Sequence, residues 1–128
     1  MKLNSDCIRD ILLIVEEKTD LSSILRLNDI YNSDTSLFFK YSEKEVLYHI
    51  NQCIMNNFIV GEVFINSCKI QYLSPKGHEF LENIRQENNW NKIKAISKDI
   101  GSLSINALFQ ISTNLITNLI TTNFLKNS

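Results

Sequence analysis

The stretch LSPKGHEFL at residues 73–81 decides the fold, because an extended segment passes here directly into a helix. Ser74 is a favoured helix cap, and Pro75 then occupies the first helical position, where a proline loses no hydrogen bond. Gly77 has no side chain, so it allows the start of the helix to pack closely against its neighbours. The stretch therefore predicts a strand that enters the core and a closing helix that follows it.

A hairpin and a helix are predicted immediately before this stretch. Residues 59–65 and 68–73 are two runs rich in β-branched and other apolar residues, and residues 66–67 provide the turn of a β-hairpin. The preceding helix begins with a capping box, in which Ser42 stands at the cap and Glu45 follows three residues later. The inner face of that helix is predicted to consist of Val46, Leu47, Ile50, Cys53 and Ile54. Its outer face is predicted to carry Lys44, Tyr48, Asn51, Gln52 and Met55.

The N-terminal segment completes the order of elements. Ile8, Ile11, Leu12 and Val15 follow the spacing of an amphipathic helix. Residues 23–27 alternate weakly, like a short strand, whereas residues 28–29 and 32–34 are typical of turns. The resulting order of helix, extended segment, helix, hairpin and helix is the layout of a winged-helix domain. We therefore expect an α+β, mostly helical protein with a winged helix-turn-helix core at residues 1–86, a recognition helix before the hairpin, and the hairpin as its wing.

Residues 87–128 are predicted to form a C-terminal helical extension. Gly101 is a plausible helix stop, and a last helix is expected at about residues 102–124. The apolar arc of that helix consists of Ile105, Leu108, Phe109, Leu115, Ile116, Leu119 and Ile120. Its other face is uncharged, which suits a homodimer interface or a clamp onto another protein. The alternative is that the helix only wraps its own domain, and its polar residues argue against a membrane span.

Composition and charge exclude several classes of protein. The chain has 128 residues, about one domain, with 13 Lys and Arg against 14 Asp and Glu, so it does not coat nucleic acid by bulk positive charge. The N-terminus lacks the apolar run of a signal peptide. Cys7, Cys53 and Cys68 are odd in number and form no CxxC motif, which favours a reduced cytoplasm over a disulfide framework.

Four segments of the chain resemble a known family. They are CIRDILL at residues 7–13, YSEKEVLYHI at 41–50, LSPKGHEFL at 73–81, and the pieces IRQ and WNK within 84–92. The chain is similar here to small uncharacterised proteins, grouped as a domain of unknown function, that are common in phages and prophages of low-GC bacteria. The resemblance implies a winged-helix-like core and a phage or prophage setting, for which we expect the cytoplasm of a bacterial host, and it supplies no established activity. Residues 28–36 and the short, neutral hairpin depart from the family pattern.

Binding of double-stranded DNA by a phage or prophage regulator is the leading expectation for function. The helix at residues 43–57 would enter the major groove, and the expected contacts are Lys44, Tyr48, Asn51, Gln52, Lys69, Lys76 and Arg85. Residues 42–86 nevertheless contain four basic and five acidic side chains, a net charge of −1. Because phosphate contacts dominate DNA affinity, this deficit weakens the expectation.

The alternative function is a protein-binding inhibitor on the same scaffold. Its target would be a host protein such as a defence nuclease, in an anti-CRISPR-like or anti-restriction role. A positive surface along Lys44, Lys69, Lys76 and Arg85 would favour DNA. An apolar patch in that region, or an acidic one formed by Asp29, Asp34, Glu43 and Glu45, would favour the inhibitor.

No catalytic site, metal site or cofactor is expected. His49 and Cys53 lie one turn apart on a predicted helix, and Cys68 and His78 follow, but the spacing matches no standard zinc pattern. Buried thiols and hydrogen-bonded or packed histidines are the simpler interpretation. The chain also lacks the GxSxG and HExxH motifs and a glycine-rich phosphate loop, so we expect a protein that is not an enzyme.

Overall fold

The computed structural model describes residues 1–33, 36–101 and 104–126, which form an α+β fold of seven helices and three strands. The elements are α1 (Ser5–Lys18), β1 (Leu25–Arg26), α2 (Leu27–Ser33), α3 (Ser36–Lys40), α4 (Glu43–Met55), β2 (Ile59–Phe64), β3 (Ser67–Leu73), α5 (Pro75–Ile84), α6 (Glu87–Ile100) and α7 (Ile105–Lys126). The predicted α+β, mostly helical class is confirmed. Within the described residues, no helix combines the length and the apolar character needed to cross a membrane.

The three strands form one antiparallel sheet in the order β1-β3-β2. The β2–β3 hairpin is the one predicted from residues 59–73, and Asn66 at its turn has a φ of 62°, in the left-handed region. Strand β1 has only two residues, and it adds to the far side of β3, where Leu25 pairs with Ile70. The hairpin is thereby joined to the segment that follows α1.

The predicted helix starts are present. Ser42 accepts a hydrogen bond from the Glu45 amide, and the Glu45 carboxylate accepts one from the Ser42 amide, which completes the capping box of α4. At the start of α5, the Ser74 hydroxyl accepts a hydrogen bond from the Gly77 amide at 2.9 Å. A Cβ at position 77 would lie 2.0 Å from the Phe58 carbonyl oxygen, so the close approach predicted there requires glycine.

The turns predicted at residues 28–29 and 32–34 are wrong where they are described. Helix α2 spans Leu27–Ser33, whereas Asp34 lies outside the described residues. Burial of Leu27 and Ile30 favours a helix, and the Tyr31 ring stacks on Phe38 of α3 at 3.8 Å between centroids. Tertiary contacts therefore override the turn preference of the asparagines and the aspartate.

The hydrophobic core continues past residue 86 into the C-terminal helices. Trp90 and Ile93 of α6 and Ile105 and Leu108 of α7 are buried in the same cluster as the residues of α1, α4 and α5. The break between α5 and α6 lies at residues 85–86. Helix α7 begins at Ile105 rather than 102, and each residue from Thr117 to Lys126 is exposed. The C-terminal part of α7 therefore projects from the core.

Candidate nucleic-acid interface

Helix α4 presents the outward face that its periodicity predicts. Lys44 and Met55 are exposed, and Tyr48, Asn51 and Gln52 are half-buried, while the opposite face is buried against the core. No carboxylate lies among these five side chains. The two glutamates of the first turn have partners of their own, since Glu43 accepts a hydrogen bond from the Tyr31 hydroxyl at 2.7 Å and Glu45 completes the capping box. The face therefore offers amide, phenol and ammonium groups to a ligand.

His49 lies on the inner side of α4 and is fully buried. Its Nε2 accepts a hydrogen bond from the Asn4 amide at 2.8 Å, so Nδ1 carries the proton and donates to the Glu45 carbonyl at 2.7 Å. Both ring nitrogens are thus satisfied by the main chain. His49 fastens the start of α1 to α4, which is the hydrogen-bonding role expected from the sequence.

Arg85, one of the predicted DNA contacts, is engaged within the chain. Its guanidinium donates two hydrogen bonds to the Glu16 carboxylate, at 2.6 and 2.9 Å, and one to Glu82 at 3.1 Å. The hydrogen bond from Arg85 lowers the pKa of Glu16. Arg9 also donates to the main-chain carbonyls of Ile84 and Arg85, at 3.0 and 2.7 Å. Arg85 therefore joins α1 to the end of α5.

Lys76, another predicted DNA contact, is also engaged within the chain. Its ammonium lies 4.9 Å from the centroid of the Phe58 ring and 5.1 Å from that of Phe109. The same group is 3.5 Å from the Asn56 carbonyl oxygen. The side chain is half-buried, so binding a phosphate would require it to give up two cation–π contacts.

The remaining basic residues of this region lie on the sheet. Lys69 of β3 is half-buried and stands opposite Arg26 of β1 on one side and Glu62 of β2 on the other. Arg26 is exposed, and it was not among the predicted contacts. The weak alternation of residues 23–27 is the signal that could have found it, because a strand there must pair with the hairpin. The row Arg26–Lys69–Glu62 has a net charge of +1.

The tip of the hairpin is apolar rather than basic. Ile65 in the turn is 93% exposed and Phe64 is 51% exposed. Single exposed apolar side chains are common, but two adjacent ones at the end of a projecting hairpin form a surface suited to another molecule. An apolar patch in this region is one of the features expected of a protein-binding inhibitor. The inhibitor function was also expected to show a cluster of acidic residues. Of these, Asp29 accepts a hydrogen bond from the Arg26 amide, and Glu43 accepts one from the Tyr31 hydroxyl. Asp34 lies outside the described residues.

The residues predicted as a protein interface on α7 fall into two groups. Ile105 and Leu108 are buried in the core of the chain itself, and Phe109 packs against Phe58 and Phe80. Ile105 and Leu108 are therefore already covered, which corrects the prediction that they face a partner, whereas Phe109 is half-buried. The other four lie farther along the helix, where Leu115 and Ile116 are half-buried and Leu119 and Ile120 are exposed.

The cysteines and the second histidine form no site with His49. Cys7, Cys53 and Cys68 are free and buried, and burial raises the pKa of Cys7 to about 12 and that of Cys68 to about 11. These thiols are therefore protonated and poorly nucleophilic near neutral pH. His78 is exposed on α5. Among the residues that the structure describes, no three His, Cys, Asp or Glu side chains come together to hold a metal ion.

Comparison with known proteins identifies the family. Residues 2–104 match the family described as "Hypothetical protein (DUF2513)", and the chain belongs to this family. The match covers all the elements from α1 to α6 and ends just before α7. No curated protein and no solved structure matches the chain.

Proposed function

We propose that this DUF2513 protein is a non-enzymatic phage or prophage regulator that binds DNA with a winged-helix core in the cytoplasm of a bacterial host. The order α1, β1, α2, α3, α4, β2, β3 and α5, in which the short α3 is an additional helix before α4, supports such a core, as does the antiparallel sheet β1-β3-β2 with its hairpin. The observation that carries the proposal is the outward face of α4, whose five exposed or half-buried side chains, Lys44, Tyr48, Asn51, Gln52 and Met55, include no carboxylate.

The dimensions and side chains of α4 suit the major groove. A helix of 13 residues is about 20 Å long, and the major groove admits one helix. Asn51 and Gln52 can each donate and accept at the N6 and N7 edge of adenine. Lys44 is exposed near the start of the same helix, where it can contact guanine or a phosphate. Arg26 and Lys69 on the sheet provide two further cations for phosphates.

A binding titration against salt tests the proposal. Three cations, Lys44, Arg26 and Lys69, predict a slope of about −3 for the logarithm of affinity against the logarithm of salt concentration. We expect Lys44→Ala and Arg26→Ala each to reduce the slope by about 1. Fluorescence anisotropy with duplexes of about 30 base pairs, one phage-derived and one of random sequence, measures this at salt concentrations from about 50 mM upward. Asn51→Ala and Gln52→Ala should instead reduce the preference for the phage-derived duplex.

Lys92→Ala is the matched control for these variants. Lys92 is exposed on α6, away from α4 and the sheet, so its loss removes the same charge without removing a proposed contact. Absence of binding at about 50 mM salt would exclude the proposal, because non-specific affinity is strongest at low salt. Equal effects of Lys92→Ala and Lys44→Ala on the slope would also exclude it.

The second candidate is a protein-binding inhibitor of a host factor or defence nuclease. The exposed Phe64 and Ile65 at the tip of the hairpin favour it, as does the internal engagement of Lys76 and Arg85. Transformation of a plasmid into a host with active restriction or CRISPR defence tests this function. The chain should raise the efficiency, and Ile65→Asp should abolish the increase while leaving the fold intact. An efficiency that the chain does not change would exclude an inhibitor of the defence tested.

A further inference from the structure

The C-terminal half of α7 projects from the core as an exposed helix with an apolar stripe. The ten residues Thr117–Lys126 are all exposed and extend about 15 Å. Ile116, Ile120 and Phe124 follow one another at intervals of four residues, so they lie along one side, with Leu119 beside them. Ile120 is 52% exposed and Phe124 is 74% exposed. The core therefore leaves Leu119, Ile120 and Phe124 of this stripe exposed.

The whole projecting part of the helix lacks charge until its last described residue. No charged residue occurs between Asp99 and Lys126, whereas a helix that stays in solvent usually carries charges on its outer face. A partner with charges at the contact would therefore find no opposite charge and would have to bury its own unpaired. The surface that covers the stripe is expected to be neutral and apolar.

The threonines of α7 are suited to burial in a helix–helix contact. The hydroxyls of Thr113, Thr117 and Thr121, which flank the stripe, each donate to the carbonyl four residues earlier, at 2.8 to 3.0 Å. Because these donors are satisfied within the helix, a partner can cover them without leaving a hydrogen bond unmade. Their small side chains also allow a second helix to approach closely.

We propose that a second copy of this chain covers the stripe, and that the two α7 helices pair antiparallel about a two-fold axis near Ile120. A copy of the same surface is neutral, apolar and equally long by construction, so it meets each requirement above. An antiparallel pair opposes the helix dipoles and separates the two Lys126 ammonium groups, whereas a parallel pair would bring them together. Ile116 of one copy then lies opposite Phe124 of the other.

The expected dimer is reversible. A stripe of about three turns buries on the order of 500 Å² per copy, less than the roughly 800 Å² per partner of a standard stable interface. We therefore expect a dissociation constant in the micromolar range, and a mass that depends on concentration. This inference does not rest on DNA binding. The DNA titrations use protein concentrations below the micromolar range, so the monomer is measured there and the two proposals are tested separately.

Sedimentation equilibrium of the full chain tests the dimer. The mass should rise from 14.8 kDa towards twice that value as the concentration increases from about 1 to about 200 µM. Ile120→Lys places a charge on the axis in both copies and should raise the dissociation constant by at least about 100-fold. Leu21→Lys is the matched control, because Leu21 is 97% exposed in the loop after α1, and it should leave the constant unchanged. A mass of 14.8 kDa at every concentration would overturn the proposal.

Disulfide cross-linking tests the antiparallel register. Since Cys7, Cys53 and Cys68 are buried, a cysteine introduced in Ile120→Cys supplies an accessible thiol that meets its own copy at the axis. Mild oxidation should cross-link Ile120→Cys to itself, and should cross-link a mixture of Ile116→Cys and Phe124→Cys, while Ile116→Cys alone should remain uncross-linked because position 116 meets position 124 of the other copy. Cross-linking of Ile116→Cys to itself, as in a parallel pair, or no cross-linking of Ile120→Cys, would overturn the proposed pairing.

Discussion

Gly77 is the residue at which α5 meets the main chain of the segment before β2. The Ser74 amide donates to the Phe58 carbonyl at 3.0 Å, and the Ser74 hydroxyl donates to the Asn57 carbonyl. These bonds hold the first turn of α5 against the start of the hairpin, so the space above Gly77 is filled by backbone that cannot swing aside. A side chain at position 77 would have to push the two segments apart.

We expect Gly77→Ala to lower the free energy of unfolding by at least about 3 kcal/mol, because the added Cβ would lie 2.0 Å from the Phe58 oxygen. Gly101→Ala is the control, because glycine is required there by the backbone conformation and not by close neighbours. Gly101 has a φ of 82° with nothing within 4 Å of an added Cβ, so the alanine is strained only by its backbone, which costs about 1 kcal/mol. Urea unfolding of both variants measures the difference. Equal losses would refute the steric role of Gly77.

Sequence patterns predict which way these residues face but not which partners they meet. Side chains on the outward face of α4 recur every three to four residues. Because this pattern lies within one helix, Lys44 and Asn51 could be assigned to the outer side from the sequence. The partner of Arg85 is Glu16, 69 residues away, and no local pattern connects them. Arg26 was missed for the same reason, because its neighbour Lys69 belongs to a different strand.

At the scale of elements, α4 was predictable and α2 was not. Helix α4 has a capping box and 13 residues of consistent periodicity, so its local signals and its packing agree. Helix α2 has seven residues, and two of its asparagines favour turns when taken alone. It forms because Ile30 is buried in the core and Tyr31 contacts both Phe38 and Glu43. Such contacts come from the fold and are not visible in a short window of sequence.

The junction between α1 and α5 gives a prediction for Arg85. Arg85→Ala should lower the free energy of unfolding at pH 7 by about 1 kcal/mol, a value that allows for partial exposure of the pair to solvent. Because the pKa of Glu16 is lowered from its ordinary 4.5 in the folded protein, the stabilisation is present above that value. It is lost as the pH falls through the lower folded pKa, where Glu16 becomes protonated. Urea unfolding at pH 7 and at lower pH measures the convergence of the variant with the wild type.

The same variant separates a structural from a DNA-binding role. Since Arg85 is engaged by Glu16 and Glu82, Arg85→Ala should leave the slope of DNA affinity against salt unchanged. Lys92→Ala, which removes a charge from an exposed position, is expected to change neither stability nor slope. A reduced slope for Arg85→Ala but not for Lys92→Ala would instead support the phosphate contact predicted for Arg85 from the sequence.

At the scale of the whole molecule, one core joins the two parts that the sequence suggests. Phe109 of α7 packs against both Phe58 and Phe80, and the buried Asn83 of α5 donates to the Ser112 hydroxyl at 3.2 Å. At the other side, Asp6 of α1 accepts hydrogen bonds from the Trp90 indole and the Lys94 ammonium. The sequence shows the helical extension and its apolar arc. The sequence does not show which residues of that arc are buried in the core, because their burial depends on the positions of α5 and α6.

Two truncations test where the folded core ends. A chain that stops at Gly101 loses the buried Ile105 and Leu108 and uncovers Phe80. The free energy of unfolding should fall by on the order of 5 kcal/mol, which is comparable to the total stability of a small domain. We therefore expect it not to unfold cooperatively. A chain that stops at Asn118 keeps those contacts and should have the urea midpoint of the full chain, measured by circular dichroism at concentrations where the full chain is monomeric. Cooperative unfolding of the chain ending at Gly101 with an unchanged midpoint would contradict the single core. In that case α7 would add nothing to the stability of residues 1–101, and its whole apolar arc, rather than the part beyond Thr117, would be open to a partner.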